Sequence, residues 1–201
     1  MKKAFLLVTI LFVSVISTAC INNLAVQELN NKAKSYLDKG DYENAISRLK
    51  SSLDLDSSFF ETHYNLGIAY TQAEKYPEAV ETFESAIKIK PDFADTYYSL
   101  AVAQENYAKG IIDGTIKDED KDEDKEQEDK IDAEEETHQN KNLSAQEKTK
   151  VCELLDKAVQ SYQTYLEKGL EIKDKEEVEE KIEYLKIQIE KYSSQPPLKE
   201  G

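Results

Sequence analysis

The chain has 201 residues, of which 41 are Asp or Glu and 26 are Lys or Arg, giving a formal net charge of −15. This charge argues against nucleic-acid binding, because a phosphate backbone is bound mainly by Lys and Arg. The two cysteines, Cys20 and Cys152, are too few for a disulfide framework or a cysteine-based zinc site.

The N-terminal segment is typical of an exported protein. Lys2 and Lys3 precede an uncharged, mostly apolar stretch over 4–19. This stretch is shorter than the roughly 20 apolar residues that span a bilayer, and it ends in small residues, as a signal peptide does. We therefore expect 1–19 to be a signal peptide.

The residues at the expected cleavage site resemble a bacterial lipobox. They read Ser17-Thr18-Ala19-Cys20, with Ser17 where leucine is usual. The resemblance implies cleavage before Cys20, lipidation of its thiol, and a tether over 20–25. The protein would then be an exported lipoprotein, anchored to a membrane of the bacterial envelope and facing the periplasm or the cell surface. Two alternatives stay open: ordinary cleavage at the same bond, and an uncleaved N-terminal anchor.

A repeat of 34 residues follows the tether. Tyr36 recurs as Tyr70, and Ala45 recurs as Ala79. Apolar residues within each unit have the i, i+3, i+4 spacing of amphipathic helices. A fixed period of this length is typical of a repeat protein made of helix pairs.

The unit over 60–93 resembles a tetratricopeptide repeat (TPR). Its signature residues are in place, except that His63 stands where the first signature aromatic is expected. They are Leu66, Gly67, Tyr70, Tyr76, Ala79, Phe83, Ala86 and Pro91. The resemblance implies an all-α TPR solenoid of about three helix-turn-helix repeats with a C-terminal capping helix.

The third repeat is predicted to be split by an acidic, disordered insertion over 110–144. TPR 1, TPR 2 and the first helix of TPR 3 occupy 26–109, and the second helix of TPR 3 occupies 145–169. Ser144 and Glu147 have the spacing of a capping box at the start of that helix. An insertion at a turn is tolerated, because doubling a loop adds only about 0.6 kcal/mol.

The C-terminal region is predicted to contain a capping helix over 174–192 and a disordered tail over 193–201. Val178, Ile182 and Leu185 lie on one apolar stripe of this helix. A solenoid needs such a terminal helix with a polar outer face.

No residue pattern indicates catalysis, a cofactor or a specific metal site. His63 and Cys152 fall at packing positions of the repeats. Within the insertion, Asp118, Asp120 and Asp122 have the spacing of a calcium loop, but the required glycine at the sixth position is Glu123. We therefore expect a protein that is not an enzyme.

TPR proteins bind peptides or protein segments on the concave face lined by the first helix of each repeat. Transferring those positions to this chain gives candidate partner-binding residues. They are Asn30, Lys34, Tyr64, Ile68, Gln72, Tyr98, Val102 and Glu105. Some TPR domains hold a C-terminal carboxylate with basic and amide side chains, but the matching positions here include Asp95, so we do not expect chaperone-tail binding.

The predicted function is thus a protein-protein interaction adaptor that holds an envelope partner in its groove. In the alternative, the TPR part is only a scaffold, and the acidic insertion binds a basic partner or cations, with a strong dependence on salt.

Overall fold

The structure is a computed structural model, and it describes residues 23–116, 143–169 and 173–194. The predicted signal peptide, Cys20, most of the acidic insertion and nearly all of the C-terminal tail lie outside these residues. No helix among the described residues is long and apolar enough to cross a membrane.

The described residues form seven helices and no strand, which confirms the predicted all-α fold of helix-turn-helix repeats. Helix α1 covers 23–37, so it begins inside the segment predicted as a tether over 20–25. The others are α2 (Tyr42–Leu55), α3 (Phe60–Gln72), α4 (Tyr76–Ile89), α5 (Ala94–Asp113), α6 (Ala145–Lys168) and α7 (Lys175–Ser193).

The chain divides into two compact units, with the boundary inside α5 between Leu100 and Ala101. The first unit contains α1–α4 and the start of α5. The second contains the rest of α5 with α6 and α7. Each is described by itself below.

Within the first unit, each helix pair turns through one residue with a left-handed backbone. Gly40 has φ of +73° and Glu74, which is 34 residues later, has φ of +59°. In both turns the next amide donates to a carbonyl five residues earlier, Asp41 to Tyr36 and Lys75 to Tyr70, each at 2.9 Å. This is the Schellman pattern, which satisfies carbonyls at the end of a helix.

The two helices of the second repeat approach closely at Gly67. A Cβ atom on this residue would lie 2.6 Å from Cε1 of Phe83, which is too close without a shift. The equivalent residues of the first repeat are Ala33 and Leu49, and both are fully buried. Phe83 is larger than Leu49, and Gly67, which packs against it, is smaller than Ala33.

Helix α5 continues to Asp113, beyond the predicted end at 109. The extra turn forms because Gly110 and Ile111 are buried, which the regular repeat spacing did not indicate. Gly114 then follows with φ of +72°, and the Ile116 amide donates to the Gly110 carbonyl at 3.1 Å.

In the second unit, α5 contacts α6, the helix that follows the predicted insertion. Ser161 Oγ donates to Gln104 Oε1 at 3.0 Å. The predicted capping box is present, since the Glu147 amide donates to Ser144 Oγ at 3.1 Å and the Ser144 amide to Glu147 Oε2 at 2.8 Å. Leu143, assigned to the insertion in the sequence, is buried instead.

Helix α7 buries its predicted stripe of Val178, Ile182 and Leu185. Its outer face carries Glu and Lys, but Tyr184 and Ile187 are also exposed there. The outer face is therefore less polar than the sequence pattern predicts.

Candidate binding face

An aromatic cluster in the first unit positions Tyr64, one of the predicted groove residues. Its ring stacks on Phe60 with centroids 5.9 Å apart. It meets Phe83 and Phe93 edge-on at 6.1 and 5.6 Å. Tyr64 is only half-buried, so three neighbouring rings hold a side chain that still reaches solvent.

Tyr64, Ile68 and Gln72 form a row along one face of α3, which we call the α3 row. Tyr64 and Ile68 are half-buried and Gln72 is exposed. The opposite face of the helix is buried through residues such as Leu66 and Ala69. Four-residue spacing keeps the three side chains of the α3 row on the same side of the helix.

The structure corrects the prediction for Asn30. This residue is only 8% exposed. Its amide nitrogen donates to Thr62 Oγ1 at 2.7 Å and to Ser52 Oγ at 3.0 Å. Its amide oxygen accepts from Asn65 Nδ2 at 3.3 Å. Asn30 therefore joins three helices inside the fold and is not available to a partner.

The equivalent positions of the next repeat hold different residues. The residues 34 positions after Asn30, Ser52 and Thr62 are Tyr64, Ala86 and Thr96. Thr96 is fully buried, and its hydroxyl has no hydrogen-bond partner among the described residues. The second set therefore has a threonine at the same position, but tyrosine and alanine stand where the first set has asparagine and serine.

Two further candidates in the first unit lie on the surface. Lys34 is exposed on α1, and Tyr98 is half-buried near the start of α5. Both keep the accessibility that a partner-binding residue requires.

In the second unit, Val102 is half-buried, whereas Glu105 is already engaged by the two helices that follow. Glu105 Oε2 accepts from the Tyr162 hydroxyl at 3.0 Å and lies 3.4 Å from Lys181 Nζ. The Glu105 side chain is 26% exposed. It links α5 with α6 and α7, a role that its place in the repeat did not predict.

Comparison with known proteins agrees with this helix-pair geometry. A family model described as TPR repeat matches residues 33–73 and 69–106. Residues 33–106 carry tetratricopeptide repeats. No curated protein is significantly similar to the chain.

Solved TPR structures share the fold. The first TPR domain of the human RPAP3 protein has a TM-score of 0.56 and 16% identity, covering 83% of this chain and 95% of that one. The first TPR of Spaghetti (RPAP3), bound to an HSP90 peptide, has a TM-score of 0.56, 14% identity and coverages of 83% and 94%. The second TPR domain of human RPAP3, in complex with an HSP70 peptide, has a TM-score of 0.55, 15% identity and coverages of 81% and 98%.

The structure also explains the histidine at the first signature position of the second TPR. His63 Nε2 lies 2.8 Å from the Ser57 carbonyl oxygen. In the third TPR, the Tyr97 hydroxyl donates to the Pro91 carbonyl at 2.9 Å. The two donors are 34 residues apart, and so are the two acceptors. His63 therefore makes the same contact as the Tyr97 hydroxyl and stabilises the turn between repeats.

Cys152 is a partly buried free thiol beside α7. Its Sγ lies 3.8 Å from the Ile189 carbonyl oxygen of α7. Partial burial, together with the nearby charge of Asp156, raises the pKa of the thiol. A raised pKa keeps the thiol protonated and poorly nucleophilic. The described residues contain no cluster of His, Cys, Asp and Glu suited to a metal ion.

Proposed function

We propose that this protein is a non-catalytic adaptor that holds a protein segment on the face formed by the first helices of its TPRs. The observation that carries the proposal is the α3 row, in which an aromatic and an aliphatic side chain stay half-exposed on a rigid helix. Tyrosine is one of the side chains that most often dominate the affinity of protein interfaces.

The aromatic cluster preorganises the Tyr64 side chain for binding. Its ring is held by Phe60, Phe83 and Phe93 before any partner arrives. A fixed side chain loses little rotamer freedom on binding, so more of the contact energy appears as affinity. Solved neighbours of this fold have been seen with HSP90 and HSP70 peptides, which supports peptide binding as a use of this fold.

The partner segment is expected to use internal apolar side chains and not a chain terminus. Asn30 is buried, and Asn65 donates to it. Asp95, at a position where a carboxylate clamp needs a positive or amide side chain, is exposed. A terminal carboxylate would therefore meet a negative charge at Asp95.

We further propose that the adaptor is exported and held at a bacterial envelope membrane by lipid on Cys20. The support is the sequence over 1–20, with its basic start, apolar stretch and lipobox-like end. Several acyl chains would give a stable anchor, since each buried CH₂ contributes about 0.8 kcal/mol. A Cys20→Ala variant should leave the membrane fraction, and the mass of the wild-type N-terminal peptide should carry the lipid.

The binding proposal is tested by co-purification from native envelopes solubilised in mild detergent, with a tag at the C-terminus. Ile68→Lys should lose the partner, because it places a charge in the α3 row without replacing any ring of the aromatic cluster. Glu84→Lys, an exposed change on the second helix of the same repeat, is the matched control and should retain it. Equal recovery with both variants would refute the α3 row as the contact.

Deleting 117–142 separates the adaptor from the polyanion alternative. The adaptor keeps its partner after the deletion, because the α3 row is intact. A polyanion would lose its basic partner, and would already release it at high salt. Loss of the partner in the deletion variant alone would move the function to the insertion.

A further inference from the structure

Three helix junctions of the first unit lie at the same edge. Asn30, midway along α1, bonds to Ser52 in the last turn of α2 and to Thr62 in the first turn of α3. Phe60, at the start of α3, has its ring centroid 5.2 Å from that of Phe93, just before α5. The chain reverses within each helix pair at the turns over 38–41 and 73–75, so the start of α1 and the turns over 56–59 and 90–93 lie at the other edge.

This edge carries every large hydrophobic side chain that is exposed among the described residues of the first unit. Leu24 is 68% exposed, Leu55 is 42% and Ile89 is 38%. Leu55 and Ile89 end equivalent helices, 34 residues apart. A single exposed leucine is ordinary, but three at one edge form a defined surface, which we call the tether edge.

The tether edge is also where the proposed lipid anchor would enter the fold. Helix α1 begins at 23, three residues after Cys20. Three residues span at most about 11 Å when fully extended. The lipidated residue therefore cannot lie far from Leu24, whatever conformation the link takes.

We infer that the tether edge rests on the lipid surface. The helix axes of the first unit would then be steeply inclined to the membrane plane, and the turns at the opposite edge would point away from the membrane. This inference rests on the proposed anchoring at Cys20. The occupant of the edge is lipid because the anchor fixes a bilayer within reach, and because the exposed residues are aliphatic.

The charges at the tether edge fit a contact that depends on the anchor. Lys90 is nearby, with its ammonium 5.0 Å from the Phe60 ring centroid and 4.8 Å from that of Phe93. Lys88 is exposed beside Ile89, and Asp54 and Asp92 are exposed close by, so these charges are mixed and give the edge no excess of basic side chains to attract anionic lipid. Without the anchor the contact is weak, whereas tethering raises the effective concentration of lipid at the edge.

The chain contains no tryptophan, which allows a clean fluorescence test with the full-length lipidated protein. Single tryptophans are placed at the tether edge, in Leu55→Trp and separately in Ile89→Trp. The control is Lys39→Trp, in the exposed turn at the opposite edge. Each variant is reconstituted into vesicles of phosphatidylethanolamine and phosphatidylglycerol, with and without a lipid that carries a nitroxide quencher near its headgroup.

The expected result is a blue shift and a large loss of emission for both tether-edge variants, with neither change for Lys39→Trp. Equal quenching at the two edges, or none at either in protein that floats with the vesicles, would overturn the inference while leaving the anchor intact. Wild-type protein that fails to float, or that floats as well after Cys20→Ala, would overturn the anchor proposal and this inference with it.

Discussion

The two buried threonines provide a matched pair for testing how hydrogen bonding stabilises this repeat. Thr62 and Thr96 are each the third residue of their helix and are both fully buried. Their amides make the same bond, to Phe59 and to Phe93, at 3.1 Å. They differ in the hydroxyl, since Thr62 accepts from Asn30 at 2.7 Å, whereas Thr96 has no partner among the described residues.

Replacing each threonine by valine keeps the shape and removes the hydroxyl. An unsatisfied buried hydroxyl costs about 1–3 kcal/mol, and a satisfied one contributes about 1 kcal/mol. Thr96→Val should therefore raise the free energy of unfolding by about 1 kcal/mol, and Thr62→Val should lower it by about 1 kcal/mol. For a chain of this size, a difference of about 2 kcal/mol separates the two melting temperatures by roughly 4–8 °C.

The measurement is thermal and urea unfolding of both variants and the wild type, followed by circular dichroism. Asn30 keeps Ser52 and the Val26 carbonyl as partners after Thr62→Val, so the loss should stay modest. Equal destabilisation by both valines would refute the reasoning, because it would show that the Thr96 hydroxyl is satisfied in solution.

Three further predictions concern a turn, a helix contact and a thiol. Glu74→Gly should stabilise the protein by about 1 kcal/mol in urea unfolding, because glycine adopts positive φ without steric conflict. Gly67→Ala should destabilise it by about 1–3 kcal/mol through contact with the Phe83 ring, and Phe83→Leu in the same chain should recover part of that loss. Cys152 should react slowly with a thiol reagent near pH 8, and faster as the pH rises, because burial raises its pKa.

Each of these predictions has its own control. Gly40→Ala should destabilise the first turn, although its Cβ would have space. The glycine-alanine exchange needs the double variant, because additive losses at the two sites would contradict direct contact. The thiol is measured in a Cys20→Ser background, and reaction at the rate of an unfolded thiol would contradict a protonated, partly buried Cys152.

The sequence was sufficient for the helices and their pairing because both follow from periodicity. The resemblance to a TPR predicted α6 as the second helix of the third repeat, and residue spacing predicted the capping box at Ser144. The same spacing failed at the end of α5, where burial of Gly110 and Ile111 outweighs the period. It also could not reveal the left-handed backbone at Glu74, since the period identifies the turn but not its dihedral angles.

The candidate site was less predictable, because family positions specify where a residue lies and not what its side chain contacts. Asn30 and Glu105 occupy first-helix positions of the repeats, but both are engaged by neighbouring helices. Ser52 and Thr62, two polar residues on an apolar stripe, were the available sign of the buried network. Tyr64 and Ile68 are half-buried, and the contacts that position Tyr64 are with aromatic rings.

The position of the insertion has a consequence for the order in which the chain folds. The helices of the first two repeats are joined by links of a few residues, from Leu37 to Tyr42 and from Gln72 to Tyr76. The contact between Gln104 and Ser161 joins residues 57 positions apart. Closing a longer loop costs more chain entropy before its contacts can form, and this slows folding. The N-terminal pairs, which emerge first during synthesis, should therefore form first, and α6 with α7 should complete the fold last.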